Sequence, residues 1–345
     1  MQLGITLKLG AGNPVDIEKV QEVERLGYSQ VWAGEAYGTD AVTPITWVLA
    51  RTTKIKAGTG IMQMQARTPT CAAMTAQTLQ LMSGNRFLCG VGPSGPQVIE
   101  GWHGVAFGKP IQRTKEYIEI IRRVLKREAP LTYEGEQYQI PYAGPDASGL
   151  GKPLKSIVHG DPSLPIYTAS ITPAGLRCAG EVSDGTLPIF FSPEQPGLIT
   201  DAIEDGMKQA KNSKTLADFD TAPYVRIRMG NDLEQCRDAL RPELALYIGG
   251  MGARSKNFYN DLAKRLGYEN AAETIQTLYL DGKKKQAEAA VPVKLIDEIS
   301  LVGPADRIKD RMQAWKDCAK NNKVRTMVLT GGSIEALRVA AEAAL

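Results

Sequence analysis

The 345-residue sequence is poor in the residues that bind metals, form disulfides or act as nucleophilic pairs. It has only two histidines, His103 and His159, and five cysteines at positions 71, 89, 178, 236 and 318. The cysteines are odd in number, far apart and without a CxxC pair, so neither a zinc site nor a disulfide framework is predicted. Neither histidine has a partner at helical spacing and no G-x-S-x-G occurs, which argues against a metal-dependent or serine-based hydrolase.

An excess of charge of one sign and long apolar runs are also lacking. The 41 basic and 38 acidic residues give a net charge of +3, which does not indicate nucleic-acid binding. No apolar run approaches the roughly 18 residues that span a bilayer. The N-terminus, MQLGITLKLG, is typical of a strand and lacks the basic leader and apolar segment of a secretory signal. We therefore expect a cytoplasmic protein that acts on a small molecule, with no nucleic-acid or membrane partner.

What the sequence does contain is a repeated alternation of strand and helix patterns. Short apolar runs predict eight strands, at 4–9, 29–33, 54–61, 87–91, 165–169, 185–191, 224–229 and 324–329. Helical stripes separate them, and the first helix is expected to open at Asn13-Pro14. Alternation of this kind predicts a parallel sheet with helices outside it. Eight units over this length favour a closed (β/α)8 TIM barrel, with residues 1–345 forming one domain.

Two predicted insertions interrupt the alternation. The first, about 128–164, follows the fourth helix and is rich in proline and glycine; within it, 131–138 is expected to form a hairpin turning at Glu134-Gly135. The second, about 249–301, precedes the eighth strand and is predicted to be mostly helical. Long loops of barrels often act as lids, so we expect the insertions to supply pocket walls.

Candidate proton-transfer groups follow the second and fourth strands, because barrel enzymes carry their chemistry where strands end. Glu35, Tyr37 and Asp40 cluster after strand two, and His103 lies in a loop after strand four. These residue types donate or accept protons in general acid–base catalysis. The alternative for the first three is loop hydrogen bonding and helix capping, and a single loop histidine is commonly just solvent-exposed.

Candidate cofactor-binding segments follow the third, fourth and fifth strands. The glycines of 58–60 and 90–95 bring bare backbone close to a planar ligand or simply permit tight turns; their spacing does not fit a dinucleotide fingerprint. After strand five, Thr172 is a predicted N-cap and Pro173 the first helical residue. The N–H groups of such a turn form an anion site, although a plain capped helix has the same pattern.

Several motifs along nearly the whole chain resemble one enzyme superfamily. They are VWAGEAY (31–37), GIMQ (60–63), ARTP (66–69), TLQLMSGNRF (78–87), GPSGPQ (92–97), EGWHG (100–104), FGKP (107–110), VSDG (182–185) and LVGP (301–304). Together they resemble the luciferase-like monooxygenase superfamily, in its branch dependent on coenzyme F420. The G-x-G-P-x-G pattern at 90–95 is most similar to the methylenetetrahydromethanopterin reductase group.

The resemblance implies a TIM barrel that holds a deazaflavin, F420, at the strand ends, with FMN as the alternative cofactor. It implies a cis peptide at Gly60-Ile61, a cofactor phosphate at the turn formed by Ser170, Ile171, Thr172, Pro173 and Ala174, and a homodimer. The remaining residues expected to contact cofactor are Gly34, Asp40, Gly60, Ile61, Gln63, Pro93, Ser94 and Gly95.

Two departures from alcohol-oxidising relatives narrow the expected reaction. Their Asp-His pair after strand two is replaced by Glu35-Ala36, and their glutamate after the strand-four glycines by Pro93-Ser94. Without the usual base, we expect hydride transfer between reduced F420 and an activated C=C or C=N (or carbonyl) group, with Glu35, Tyr37 or His103 as proton donor. The alternatives are a two-component monooxygenase using FMNH2 and O2, and a cofactor-binding barrel without turnover.

Overall fold

Parallel strands joined by helices make up most of the chain, which a computed structural model describes over residues 1–8, 15–210 and 213–345. The strands in these ranges are β1 Gln2–Thr6, β2 Gln30–Ala33, β3 Lys56–Thr59, β4 Met62–Gln63, β5 Phe87–Gly92, β6 Tyr133–Glu134, β7 Gln139–Ile140, β8 Ile166–Thr168, β9 Gly185–Thr186, β10 Asp220–Thr221, β11 Tyr224–Met229, β12 Ser300–Gly303 and β13 Thr326–Gly331.

Helices follow the strands. They are α1 Ile17–Arg25, α2 Val42–Arg51, α3 Pro69–Ser83, α4 Pro96–Ile99, α5 Pro110–Lys126, α6 Pro173–Val182, α7 Gly197–Gln209, α8 Leu233–Asp238, α9 Arg241–Ala245, α10 Phe258–Arg265, α11 Glu269–Leu280, α12 Lys284–Ala289, α13 Val293–Ile299, α14 Ala305–Lys320 and α15 Ile334–Ala344. The helix start expected at Asn13-Pro14 lies outside the described residues; α1 is capped by Asp16, whose carboxylate accepts from the N–H of Lys19. No helix in the described ranges is long and apolar enough to cross a bilayer.

The parallel strands close into a barrel. In order around it, β1, β2, β3, β5, β8 and β9 pair with their neighbours, and β13 pairs with both β1 and β11. The ring closes because β10, which pairs with β9, continues after Ala222-Pro223 as β11. The predicted TIM barrel is confirmed.

One further strand lies at the end of the second insertion. Residues 246–250 form a single π-helical turn and α10–α13 follow, but the segment ends in β12, which pairs in parallel with the C-terminal half of β11. The prediction of a mostly helical segment missed this strand. A four-residue apolar run that directly follows a buried helix gives no periodic signal of its own.

The hairpin of the first insertion turns later than predicted. β6 and β7 pair antiparallel on either side of residues 135–138, so the turn predicted at Glu134-Gly135 is wrong by position. The buried Glu116 of α5 holds this turn, because its carboxylate accepts hydrogen bonds of 2.8–3.0 Å from the N–H groups of Glu136, Gln137 and Tyr138. This contact comes from a distant helix, which local turn chemistry does not reveal.

A buried polar network fills the N-terminal end of the barrel interior. Oδ2 of Asp220 accepts from Nε2 of Gln30 (2.9 Å), from the hydroxyl of Tyr167 (2.9 Å) and from Oγ1 of Thr326 (3.0 Å). Oε1 of Gln30 in turn accepts from the indole N–H of Trp32 at 2.9 Å. All five side chains are buried. The network therefore joins β2, β8, β10 and β13 below the mouth of the barrel.

Candidate active site

The end of β3 carries a backbone bulge that faces the barrel interior. The peptide between Gly60 and Ile61 is cis, as the resemblance implied. The predicted continuous strand 54–61 therefore ends at Thr59, and pairing with β5 resumes at Met62. The carbonyl oxygen of Gly60 accepts from the hydroxyl of Tyr224 on β11 at 3.3 Å. Burial raises the pKa of this tyrosine, so the hydroxyl stays protonated and able to donate.

Three glycines lie close to one another at the bulge. A Cβ added to Gly60 would lie 2.1 Å from the Tyr224 hydroxyl oxygen, and one added to Gly92 would lie 3.1 Å from Cγ1 of Ile61. Gly34, just after β2, is the neighbour on the other side; its added Cβ would lie 3.4 Å from the Gly60 carbonyl oxygen. Glycine at 60 and 92 therefore permits close packing, because the Tyr224 hydroxyl fills the space beside Gly60 and the Ile61 side chain fills that beside Gly92. Gly34 is exposed, so its main chain is open to a flat ring.

Glu35 is held by an ion pair at the edge of this surface. Its two oxygens accept from the two terminal nitrogens of Arg67 at 2.7 and 2.8 Å, and Oε2 also accepts from the N–H of Gln63 at 2.8 Å. The Glu35 side chain is 8% exposed, and this carboxylate raises the pKa of Arg67. The arrangement ties the loop after β2 to the bulge. Proton transfer by Glu35 stays a prediction. Its ion pair with Arg67 was not predicted, although Arg67 belongs to the ARTP motif.

Replacing Arg67 with methionine is expected to lower the free energy of unfolding by about 3 kcal/mol, because it leaves the Glu35 carboxylate buried without its cation. Urea unfolding of R67M measures this effect. The double variant E35Q/R67M should recover most of the loss, since the amide needs no countercharge. Equal instability of the single and double variants would contradict a role for the ion pair.

Gln63 joins three loops. Its Nε2 donates to the carbonyl oxygens of Glu35 (3.1 Å) and Ala36 (2.9 Å) and lies 3.4 Å from Oγ of Ser94. Its Oε1 hydrogen-bonds to Nε2 of His103. Ser94 has a φ of +55°, a left-handed conformation, within the loop Pro93-Ser94-Gly95 that follows β5. The structure thus brings together four residues that the sequence placed after three different strands.

The other two candidates after β2 have separate surroundings. Tyr37 is 67% exposed. Oδ1 of Asp40 accepts from the N–H of Thr43 at 2.8 Å in the first turn of α2. Helix capping, the alternative considered for Asp40, therefore describes its contact in this structure, while contact of either residue with cofactor stays a prediction.

The turn between β8 and α6 has the predicted capped form. Oγ1 of Thr172 accepts from the N–H of Gly175 at 3.2 Å, and α6 begins at Pro173. Ser170 lies against the same turn, since a Cβ added to Gly175 would approach its Oγ to 1.8 Å. Pro173 and Ala174 are exposed, which leaves the start of the helix accessible to an anion.

Helices of the second insertion contact the turn at 170–174. Ile171 is buried in the apolar cluster of the insertion helices, and Arg265 of α10 donates to its carbonyl oxygen at 2.6 Å. The turn at 170–174 and the second insertion therefore form one packed unit.

Three aromatic rings, of Phe190, Tyr247 and Tyr259, pack in the same cluster as Ile171 and form an aromatic wall that was not predicted. The rings of Tyr247 and Tyr259 meet edge to face with centroids 4.8 Å apart, and both lie about 6 Å from the ring of Phe190. Arg226 of β11 pairs with Glu243 and lies 5.9 Å from the Tyr247 ring centroid. Only Arg226 could have been predicted from the sequence. It lies two residues from Tyr224 in one strand, so both side chains point to the same, inward face of the barrel.

Comparison with known proteins agrees with this geometry. The luciferase-like monooxygenase family matches residues 16–319. A Mycobacterium tuberculosis protein provisionally described as a coenzyme F420-dependent oxidoreductase is 37% identical, over 98% of this chain and 97% of its own length. The 5,10-methylenetetrahydromethanopterin reductase of Archaeoglobus fulgidus is 26% identical, over 85% and 83%.

A solved structure shares the fold. The coenzyme F420-dependent tetrahydromethanopterin reductase of Methanopyrus kandleri superposes with a TM-score of 0.78 at 21% identity, covering 99% of this chain and 98% of its own. The family match extends over most of the chain and includes the strand ends that build the site. This chain belongs to the luciferase-like monooxygenase family.

Proposed function

We propose that the protein transfers a hydride between reduced coenzyme F420 and an activated C=C or C=N (or carbonyl) group of a small organic substrate. The observation that carries the proposal is the bulge at Gly60-Ile61, bordered by the exposed Gly34 and by Gly92, at the C-terminal end of the barrel. The capped turn at Ser170–Ala174 supports it as a second anchor for the same ligand. The Mycobacterium tuberculosis relative, which is named for F420, supports the choice of cofactor.

The chain's own residues would bind and orient such a cofactor. Gly34, Gly60 and Ile61 would support the ring, with Gln63 and the Pro93-Ser94-Gly95 loop at its edge, and residues 170–174 would accept the phosphate. When bound, the deazaflavin supplies the hydride. The aromatic wall of Phe190, Tyr247 and Tyr259 would exclude water beside the substrate.

Reduction of a polarised double bond suits the protonation chemistry of this site. It requires one proton but no strong base, and the carboxylate beside the bulge is already committed to Arg67. His103 is half-buried and lies next to Gln63 of the bulge, which favours it over the exposed Tyr37 as the group that holds the proton.

The alternative is oxygenation with FMNH2 and O2, which the family's name favours. Deazaflavin has carbon where flavin has its oxygen-reactive ring nitrogen, so the choice of cofactor separates the two functions. A homodimer, which the resemblance implies, and a cytoplasmic location, which the sequence predicts, form part of the same proposal. Sedimentation of the purified chain tests the oligomeric state.

Titration with F420 and with FMN, followed by fluorescence, tests the proposal. We expect F420 to bind more tightly by at least tenfold, and bound F420H2 to be oxidised in a single turnover by members of a panel of enones and imines. Tighter FMN binding with O2 consumption would replace the proposal with the monooxygenase. Binding of F420H2 without oxidation by any acceptor would favour a barrel without turnover.

A further inference from the structure

The side-chain amide of Gln63 can adopt only one orientation in this site. One end lies 3.1 Å from the carbonyl oxygen of Glu35 and 2.9 Å from that of Ala36. Backbone carbonyls accept hydrogen bonds and cannot donate, so this end must be the NH2 group. The amide oxygen, Oε1, therefore points the other way, toward His103.

This orientation determines where His103 carries its proton. Nε2 of His103 is the ring nitrogen that contacts Oε1 of Gln63. An amide oxygen only accepts, so Nε2 must donate and keeps its hydrogen in both the neutral and the charged ring. Nδ1 is then the nitrogen that gains or loses a proton. It has no hydrogen-bond partner among the described residues, and the residue as a whole is only half-buried.

The amide is also fixed in place. Gln63 is fully buried, and its backbone N–H donates to Oε2 of Glu35, which the ion pair with Arg67 holds. Backbone and side chain of one residue are thus bound to the same loop after β2. An acceptor held at several points imposes a fixed direction on the imidazole ring.

We infer that Gln63 is a positioning residue that fixes the tautomer of His103, and that His103 exchanges its proton with the substrate through Nδ1. The inference rests on the proposed function for its catalytic part. After a hydride has added to the electrophilic carbon, the electron pair of the double bond lies on the substrate nitrogen or on the conjugated enolate. The Nδ1–H bond of the imidazolium breaks, its electrons stay on Nδ1, and the proton bonds to that substrate atom. Neutral imidazole with Nε2–H remains, and a proton taken up from bulk solvent at Nδ1 restores the imidazolium.

Nuclear magnetic resonance of the cofactor-free chain labelled with 15N-histidine tests the tautomer directly. We expect neutral His103 to show an unprotonated Nδ1 and an Nε2-bound proton that exchanges slowly enough to be resolved. His159 is exposed and serves as the internal reference with no protected proton; H159Q assigns the two signals. A proton on Nδ1 of neutral His103, or an Nε2–H that exchanges as fast as that of His159, would overturn the inference.

Variants of Gln63 link the tautomer to catalysis. Q63L removes the acceptor and should abolish the protected Nε2–H signal; circular dichroism and thermal melts check that the variant folds. In single-turnover oxidation of F420H2 by an enone or imine, H103Q and Q63L should each lower the rate about 100-fold. The H103Q/Q63L variant should be no slower than H103Q, because the two residues act as a unit.

The resonance measurement and the single-turnover kinetics together distinguish failure of the inference from failure of the proposed function. Absence of F420H2 binding removes the proposed function, while the resonance measurement still decides the tautomer. Turnover of F420H2 at an unchanged rate in Q63L would overturn the positioning role and leave the proposed function standing.

Discussion

Replacing Gly60 with alanine is expected to weaken F420 binding by about 100-fold, the equivalent of roughly 3 kcal/mol. The new Cβ would lie 2.1 Å from the hydroxyl oxygen of Tyr224, while the next atoms, of Leu187 and Trp32, would be at an ordinary 3.4 Å. Either the tyrosine or the bulge must move, and overpacking of this kind costs about 1–3 kcal/mol. Fluorescence titration of G60A with F420 measures the loss.

The tyrosine offers a matched control. Y224F removes the single atom that blocks the new methyl group, so G60A/Y224F should recover most of the affinity, and Y224F alone should change it by less than about threefold, since it removes one neutral hydrogen bond. If the double variant binds as poorly as G60A, the clash is not the cause. If G60A binds like the unchanged protein, the bulge does not support the ring.

Replacing Asp220 with alanine is expected to cost about 3 kcal/mol or more of the free energy of unfolding. Three buried donors, on Gln30, Tyr167 and Thr326, would lose their shared acceptor. An unsatisfied buried polar group costs about 1–3 kcal/mol, and the three belong to different strands of the barrel wall. Urea unfolding followed by tryptophan fluorescence measures the change.

The neighbouring residue supplies the comparison. Thr221 is equally buried, but its hydroxyl has no hydrogen-bond partner, so T221V removes a polar atom without breaking a contact. We expect T221V to be neutral or slightly stabilising. A loss in T221V as large as that in D220A would mean that the position tolerates no change, and would count against the network.

The barrel was predictable because each of its units carries a local signal. Apolar runs with intervening helical stripes predict parallel strands, and the number of units predicts closure. The turn at 135–138 and strand β12 were not predictable, because the first depends on the carboxylate of Glu116 from another helix and the second on register with β11. Both are tertiary effects without a local pattern.

The candidate site, like the fold, has features that were predictable from the sequence and features that were not. The rule that chemistry follows strand ends placed Glu35, Gln63 and His103 together, and the resemblance supplied the cis peptide at Gly60-Ile61. The rule gave no means of finding which side chains satisfy one another, so the ion pair of Glu35 with Arg67 was missed. The aromatic wall was missed because Phe190 follows β9 whereas Tyr247 and Tyr259 lie more than 50 residues later, and only contacts between residues far apart in sequence bring the three rings together.

The hydrogen bond from Arg265 to the carbonyl oxygen of Ile171 has a practical consequence for protein engineering. Under the proposed function, the helices that would surround the substrate also hold the turn that would bind the cofactor phosphate. They do so through a main-chain atom, which no substitution at position 171 removes. Exchanging the second insertion for that of another family member would therefore change both properties at once. We therefore expect single replacements of Tyr247 or Tyr259 to alter substrate preference with less effect on cofactor binding than an exchange of the whole second insertion.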